Sequence, residues 1–175
     1  MKSNFELMAV YNQWMNGSLY KAAATLSNDE LEKNRGAFFG SIIGTLNHIL
    51  VGDIIWFKRF ANYEQNFTSL DYVRDLKAPA SLDTSLCSEL NELSEIRNKM
   101  DAMIVEFTSV VTEKQLVGPL IYTNTKGKTF TRNFGYLLQH LFNHQTHHRG
   151  QVSTLLYQAG VDIGVTDLLM VIPNE

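Results

Sequence analysis

The sequence predicts an all-α fold in which four helices form a bundle and a small β-hairpin precedes the last helix. Four segments carry apolar residues at the three- and four-residue spacing of a helix that is buried on one side. A fifth segment has short arms rich in threonine, tyrosine and isoleucine around a turn, which is typical of a hairpin. With 175 residues, 45% of them hydrophobic, we expect one domain over residues 1–175.

The first two helices are predicted at residues 4–26 and 41–61. Within the first, Trp14 is interpreted as part of the core and Asn12 as solvated, with the alternative that either side chain lines a pocket. Ser41 can cap the second helix. Apolar residues go almost all the way round this second helix, so it should be the most buried of the four.

The second helix also contains residues that a simple core helix would not need. Gly44 and Gly52 fall on the same side as His48, and each glycine costs a helix about 1 kcal/mol relative to alanine. We therefore expect their small size to leave room for a metal ion. Asp53 lies among apolar residues and must be paired, with Arg149 or an amide of the first helix as its expected partner.

The second half of the chain begins with a connection over residues 62–83, where the helical pattern lapses. A third helix is predicted over residues 84–111, with Arg97 on its polar face and no candidate ligand in its apolar stripe. The hairpin is predicted within 116–131. The fourth helix begins near 131–134 and ends at Gly160, and the apolar tail should fold back on the bundle or cover a pocket mouth.

Composition excludes several classes of function. A formal net charge of -3 without any lysine and arginine block argues against nucleic-acid binding. Neither a signal sequence nor a long apolar run indicates export or membrane insertion. Cys87 is the only cysteine, which excludes an internal disulfide and a cysteine-based zinc site. We expect a cytoplasmic protein.

The stretch at 137–157 holds four of the five histidines and is the main candidate for a functional site. His144 and His148 fall within the apolar face of the predicted helix, one turn apart, which suits a single transition metal ion. His140 and His147 fall at the edge of that face. They are the weaker candidates for ligands.

His48 is the only histidine outside this stretch and is the candidate for a third ligand. Three imidazoles would leave a coordination position open for water or substrate, which is typical of catalytic rather than structural sites. A fourth ligand from His140 or His147 stays an alternative. Metalloprotease helices place a glutamate after their first histidine, but Gln145 stands after His144 and cannot act as a base.

The metal could still act as a Lewis acid or hold a thiol as thiolate, since coordination deprotonates a thiol at neutral pH. Cys87 itself is a poor candidate nucleophile, because nothing in its local sequence lowers its pKa.

Three segments together resemble the DinB-like (damage-inducible) metalloprotein family. They are residues 11–16 (YNQWMN), residues 46–48 (LNH) with Asp53 and Trp56, and residues 143–151 (NHQTHHRGQ). The last segment is the most specific of them, and the resemblance covers essentially the whole chain.

The resemblance implies a four-helix bundle of up-down-down-up topology, often a homodimer, with one divalent transition metal held by His48, His144 and His148. Zinc and nickel are the foremost candidates, although imidazole also suits copper and iron. Relatives of known activity, the bacillithiol S-transferases and the mycothiol-dependent maleylpyruvate isomerase, are thiol-dependent. The resemblance thus implies a thiol transferase with a small-molecule substrate.

Two other classes of function stay open. One is a non-catalytic protein that binds a metal or small ligand in a stress response, and the other is a metal-dependent hydrolase, which would need a base. Around the predicted site, possible supporting or substrate-binding residues are Asn12, Asp53, His147, Arg149 and Gln151. Arg149 points away from the two helical ligands, and a salt bridge is its expected structural role.

Overall fold

The computed structural model of the protein describes residues 1–63 and 67–174. The helices and strands, in chain order, are α1 (Lys2–Ala23), α2 (Asn28–Glu32), α3 (Ile42–Ala61), α4 (Asp71–Asp75), α5 (Leu90–Val110), α6 (Glu113–Leu116), β1 (Pro119–Thr123), β2 (Thr129–Asn133) and α7 (Phe134–Gln158). The protein is therefore mostly helical, with an antiparallel hairpin directly before the last helix, as the sequence predicted.

The four long helices pack against one another around one apolar core. Helix α1 packs against α5 and α7, and α3 packs against α7. Most residues of α3 are buried, more than in any other long helix, which confirms the expectation from its apolar circumference. At one end of the core, aromatic side chains from α3, α5 and α7 meet through Phe60, Phe107 and Phe134. The helices that carry the candidate histidines are thus fixed by a common core.

Helix α3 begins where the sequence predicted. The Ser41 hydroxyl accepts a hydrogen bond of 3.0 Å from the backbone N–H of Gly44 and caps the helix. Gly44 itself is required by a close approach, because a Cβ there would lie 2.3 Å from the carbonyl oxygen of Phe39. The small residue therefore makes room for the preceding loop.

The connection between α3 and α5 differs from the prediction. It contains a 3-10 turn (Thr68–Leu70) and α4, which bury Leu70 and Val73 in the core. Residues 64–66 of this connection lie outside the described part of the chain. Helix α5 starts at Leu90 rather than at residue 84. The Asn47 side chain accepts hydrogen bonds from the N–H groups of Leu86 and Cys87, which holds this segment outside the helix.

The hairpin and the tail complete the fold. Tyr122 pairs with Phe130 across the hairpin, and Gly127 adopts a φ of 77° in its turn. The tail passes along α1, where the Tyr11 hydroxyl donates a hydrogen bond of 2.6 Å to the carbonyl of Thr166. Its next residues, 168–171, also contact α1, although Leu169 and Met170 are exposed, so the tail folds back on the bundle as expected. Over the described residues, each helix is too short or too polar to span a membrane.

Candidate metal centre

Three histidine rings converge between α3 and α7. Nε2 of His48 lies 3.1 Å from Nε2 of His144 and 3.2 Å from Nε2 of His148. One nitrogen from each ring lies within 4.8 Å of the corresponding nitrogens of the other two, which makes this a group that could hold a metal ion. His48 is buried and the other two are half-buried. The structure thus brings together the three histidines that the sequence singled out.

Two of the rings are oriented by hydrogen bonds from the nitrogen that faces away from the cluster. Nδ1 of His48 lies 2.8 Å from the carbonyl oxygen of Leu82, and Nδ1 of His148 lies 2.7 Å from Oε1 of Gln151. Because both of these oxygens can only accept, each Nδ1 carries the proton and donates it. The Nε2 lone pairs of His48 and His148 therefore point into the cluster, as metal ligands require.

His144 is placed by the absence of a side chain on α3. A Cβ at Gly52 would lie 2.7 Å from Cε1 and 3.2 Å from Nδ1 of the His144 ring. The two glycines do provide room, but the expectation that Gly44 and Gly52 provide it for a metal ion was wrong. Gly52 makes room for a ligand ring, and Gly44 makes room for the loop that carries Phe39.

Phe39 covers one side of the cluster and was missed from the sequence. Its ring stacks on the His48 ring, with centroids 3.6 Å apart and planes 16° apart, and it meets His148 edge-on at 5.6 Å. The signal that could have found it is the pair of loop glycines on either side, Gly36 and Gly40, which both have positive φ. They shape the loop that brings the ring back over α3.

The environment keeps the three imidazoles neutral. Burial, and next the neighbouring rings of His148 and His48, lower the pKa of His144 to about 3. Burial also lowers the pKa of His48 and of His148. Neutral imidazole is the form that binds a metal ion, so the cluster is suited to metal binding at neutral pH.

The other two histidines lie outside the cluster. His147 is exposed, and its Nε2 lies 3.3 Å from the Gln151 amide nitrogen. The His140 ring packs edge-on against Trp56, and its centroid lies 6.3 Å from that of His144. Among the described residues, the group that could hold a metal contains neither of them. This arrangement agrees with their weaker rank in the sequence.

The partners of Asp53 are neither Arg149 nor an amide of the first helix, the two that were expected. Its carboxylate forms a buried ion pair with Arg97 of α5 and accepts a hydrogen bond of 2.7 Å from the Gln145 amide of α7. Arg97 was wrongly assigned to the polar face of its helix, since it is only 2% exposed. The guanidinium also lies 2.8 Å from a carboxylate oxygen of Asp101, so one cation serves two buried acids.

The asparagines of α1 extend this network rather than facing solvent. Asn12 and Asn16 both donate hydrogen bonds to Asp101, and both are buried, which corrects the solvated interpretation of Asn12. Arg149 donates hydrogen bonds to the Asn12 side-chain oxygen and to the Thr146 hydroxyl, so its polar contacts are neutral groups instead of the expected salt bridge. The network joins all four long helices.

Burial controls the ionisation of this network. It raises the pKa of Asp101 to about 6, although Arg97 acts in the opposite direction. Burial likewise raises the pKa of Asp53 and lowers that of Arg149 to about 10. The polar groups of Asn12, Asp53 and Arg149 are thus engaged within the protein, and a role for them in substrate binding stays a prediction.

Among the described residues, the group that could hold a metal does not include Cys87, which lines a cavity of about 660 Å³ together with Phe39 and Asn47. Burial, and next the carboxylate of Glu92, raise the pKa of the Cys87 thiol. This agrees with the prediction that it is a poor nucleophile.

The fold and the cluster define a class: a mostly helical protein with a three-histidine site that could hold a metal ion. The chain belongs to the DinB family, whose family model matches residues 1–174. It is similar to Protein DinB of Bacillus subtilis (strain 168), with 25% identity over 157 residues that cover 90% of this chain and 87% of that protein. No solved structure matches the chain significantly.

Proposed function

We propose that the protein binds one divalent transition metal ion, with zinc and nickel foremost, through Nε2 of His48, His144 and His148. The convergence of these three nitrogens, with distances of 3.1 and 3.2 Å from His48, carries the proposal. Nitrogen ligands of a tetrahedral zinc ion at about 2.0–2.1 Å are about 3.3 Å apart, so the spacing suits such an ion. The outward hydrogen bonds of His48 and His148 support the same assignment.

Elemental analysis of the purified protein tests this assignment. We expect about one equivalent of metal in the wild type and loss of it in His48→Ala and His144→Ala, because two imidazoles bind a divalent ion much more weakly than three. His140→Ala is the matched control, since it removes a histidine from the same helix outside the cluster. Metal retained by His48→Ala would contradict the assignment.

We further propose that the protein is a metal-dependent transferase that uses a low-molecular-weight thiol and a small electrophilic substrate. Three protein ligands leave a position open, and a bound metal ion would supply Lewis acidity and stabilise a thiolate there. Phe39 would shield one side of that position from water, while Leu82 and Gln151 hold the rings in place. The resemblance to thiol-dependent relatives supports the same reaction.

The hydrolase alternative lacks support from the contacts of the nearest buried acid. Asp53 is fully buried, and its two oxygens face Arg97 and Gln145, so it is poorly placed to activate water at the cluster.

An activity assay distinguishes a transferase from a non-catalytic binding protein. We expect the metal-loaded protein to accelerate the loss of an electrophile such as monobromobimane in a panel of small thiols, and His144→Ala to abolish the acceleration. A metal-loaded protein without turnover in the panel would favour the binding protein.

We also propose that the four long helices form an up-down-down-up bundle in a single domain. The packing of α1 on α5 and α7, and of α3 on α7, supports the bundle.

We propose, finally, that the protein is a cytoplasmic homodimer. The homodimer rests on the family resemblance. Light scattering coupled to gel filtration tests it, and a monomer at working concentrations would contradict it.

A further inference from the structure

A second cavity lies between α3, the hairpin and the first half of α7. Its volume is about 640 Å³, which is in the range of small-molecule sites. Three aromatic residues line it, Trp56, Tyr122 and Tyr136, together with His140 and Arg132. The Tyr136 side chain is 71% exposed, so one wall of the cavity is open to solvent and accessible to a ligand.

The charge around this cavity is positive. Arg59 lies beside two of the lining residues, with its guanidinium carbon 4.5 Å from the centre of the Trp56 ring and 5.1 Å from that of Tyr122. Over residues 1–63 and 67–174, neither Arg59 nor Arg132 has a carboxylate within 4.0 Å.

The distribution of acidic residues along the sequence also makes the surroundings of the cavity positive. Between Glu113 and Asp162 there is no acidic residue, although the protein as a whole has a net charge of -3. This stretch includes the whole hairpin and α7. The cavity is therefore lined by elements that supply only cations and neutral groups, apart from α3.

We propose that this cavity binds a small planar carboxylate, such as an aromatic acid. The flat body of the ligand would stack against the aromatic walls, and its carboxylate would pair with the Arg132 guanidinium, which offers a planar fork of donors. A neutral planar molecule would lose the ion pair, and a non-planar acid would lose the stacking. The combination therefore selects for both properties in one ligand.

The position of the cavity relates it to the histidine cluster. His140 lies one helical turn before His144, with ring centroids 6.3 Å apart. A ligand in the cavity would thus lie beside the cluster, separated from it by the His140 ring. The binding itself does not depend on a metal, so this inference can fail or hold independently of the proposed metal site.

Fluorescence of Trp56 provides a direct measurement, because Trp14→Phe leaves it as the only tryptophan. Benzoate should change the fluorescence in a saturable way, in metal-loaded and chelator-treated protein alike. Benzamide and cyclohexanecarboxylate should each bind about tenfold more weakly or worse, equivalent to about 1.4 kcal/mol. Equal binding of benzoate and benzamide, or no saturable change up to millimolar benzoate, would overturn the proposal.

Two pairs of variants separate specific binding from general effects. Arg132→Met should weaken benzoate binding about tenfold, whereas Lys128→Met should leave it unchanged. Both cations lie near the Phe130 ring of the same hairpin, but only Arg132 lines the cavity. Tyr136→Ala should weaken binding, whereas Tyr157→Ala, which removes a 75% exposed tyrosine elsewhere on α7, should not. If Lys128→Met weakened benzoate binding as much as Arg132→Met, or Tyr157→Ala as much as Tyr136→Ala, the proposal would be overturned.

Discussion

Replacing Gly52 by alanine would test how the cluster is assembled. The added Cβ would lie 2.7 Å from Cε1 of His144, closer than Cβ atoms approach other heavy atoms. The ring or the helix must therefore shift. Either shift changes the position of Nε2 of His144 relative to Nε2 of His48, from which it is now 3.1 Å distant.

Two opposing effects decide the stability of Gly52→Ala. Alanine within a helix is favoured over glycine by about 1 kcal/mol. Overpacking of a well-packed site costs about 1–3 kcal/mol. The metal-free variant should therefore be between about 0 and 2 kcal/mol less stable than the wild type. Because positioning residues around metal ligands typically change affinity by about 10- to 100-fold, metal binding should weaken by that factor.

Gly17→Ala is the matched control. Gly17 lies within α1, and a Cβ there would have no heavy atom within 4 Å. It should gain about 1 kcal/mol in stability and keep the wild-type metal affinity. Urea unfolding in a chelator measures stability, and competition with a chromophoric chelator measures affinity. Wild-type metal affinity in Gly52→Ala would refute the conclusion that this glycine positions His144.

Two further predictions concern the buried polar network. Arg97→Met should lower the free energy of unfolding in urea by about 3–5 kcal/mol, because it leaves Asp53 and Asp101 without their cation. The exposed control Lys99→Met should change it by no more than about 0.5 kcal/mol. A small effect of Arg97→Met would contradict the pairing. Since burial raises the pKa of Asp101 from 3.8 to about 6, the folded protein holds a proton there that the unfolded chain releases. The contribution of Asp101 to stability should therefore fall as pH rises from about 4 to 6, by up to about 1.4 kcal/mol per pH unit. Unfolding of the wild type and Asp101→Asn across this range measures it, and a constant difference between the two would contradict the raised pKa.

The histidine cluster could be predicted because its signals are local in the sequence. The four-residue spacing places His144 and His148 on one face of one helix, and His48 was the only other histidine available. The hairpin was equally accessible, since its turn glycine and its alternating arms lie within a short segment. Features of this kind need no knowledge of how distant segments meet.

The buried polar network could not be predicted, because its partners come from different helices. Arg97 has a sequence environment of acidic residues typical of a solvated face, and only the position of Asp53 on α3 explains its burial. The asparagines of α1 look equally solvent-exposed until Asp101 is placed opposite them. Phe39 was missed for the same reason, since its contact with His48 depends on the path of a loop.

The cluster and the network are connected through neighbouring residues on two helices. On α3, Gly52 faces the His144 ring and Asp53 binds the Gln145 amide, and these partners are themselves consecutive on α7. A shift of α7 by one residue along α3 would remove the His144 ring from its place against Gly52 and would separate Asp53 from the Gln145 amide. Because Asp53 is also paired with α5, the network fixes the register of α3 against α7. The same register aligns His48 with His144. Gln145 stands where a metalloprotease has its catalytic base, but here it has a structural role: it positions the helix that carries His144 and His148.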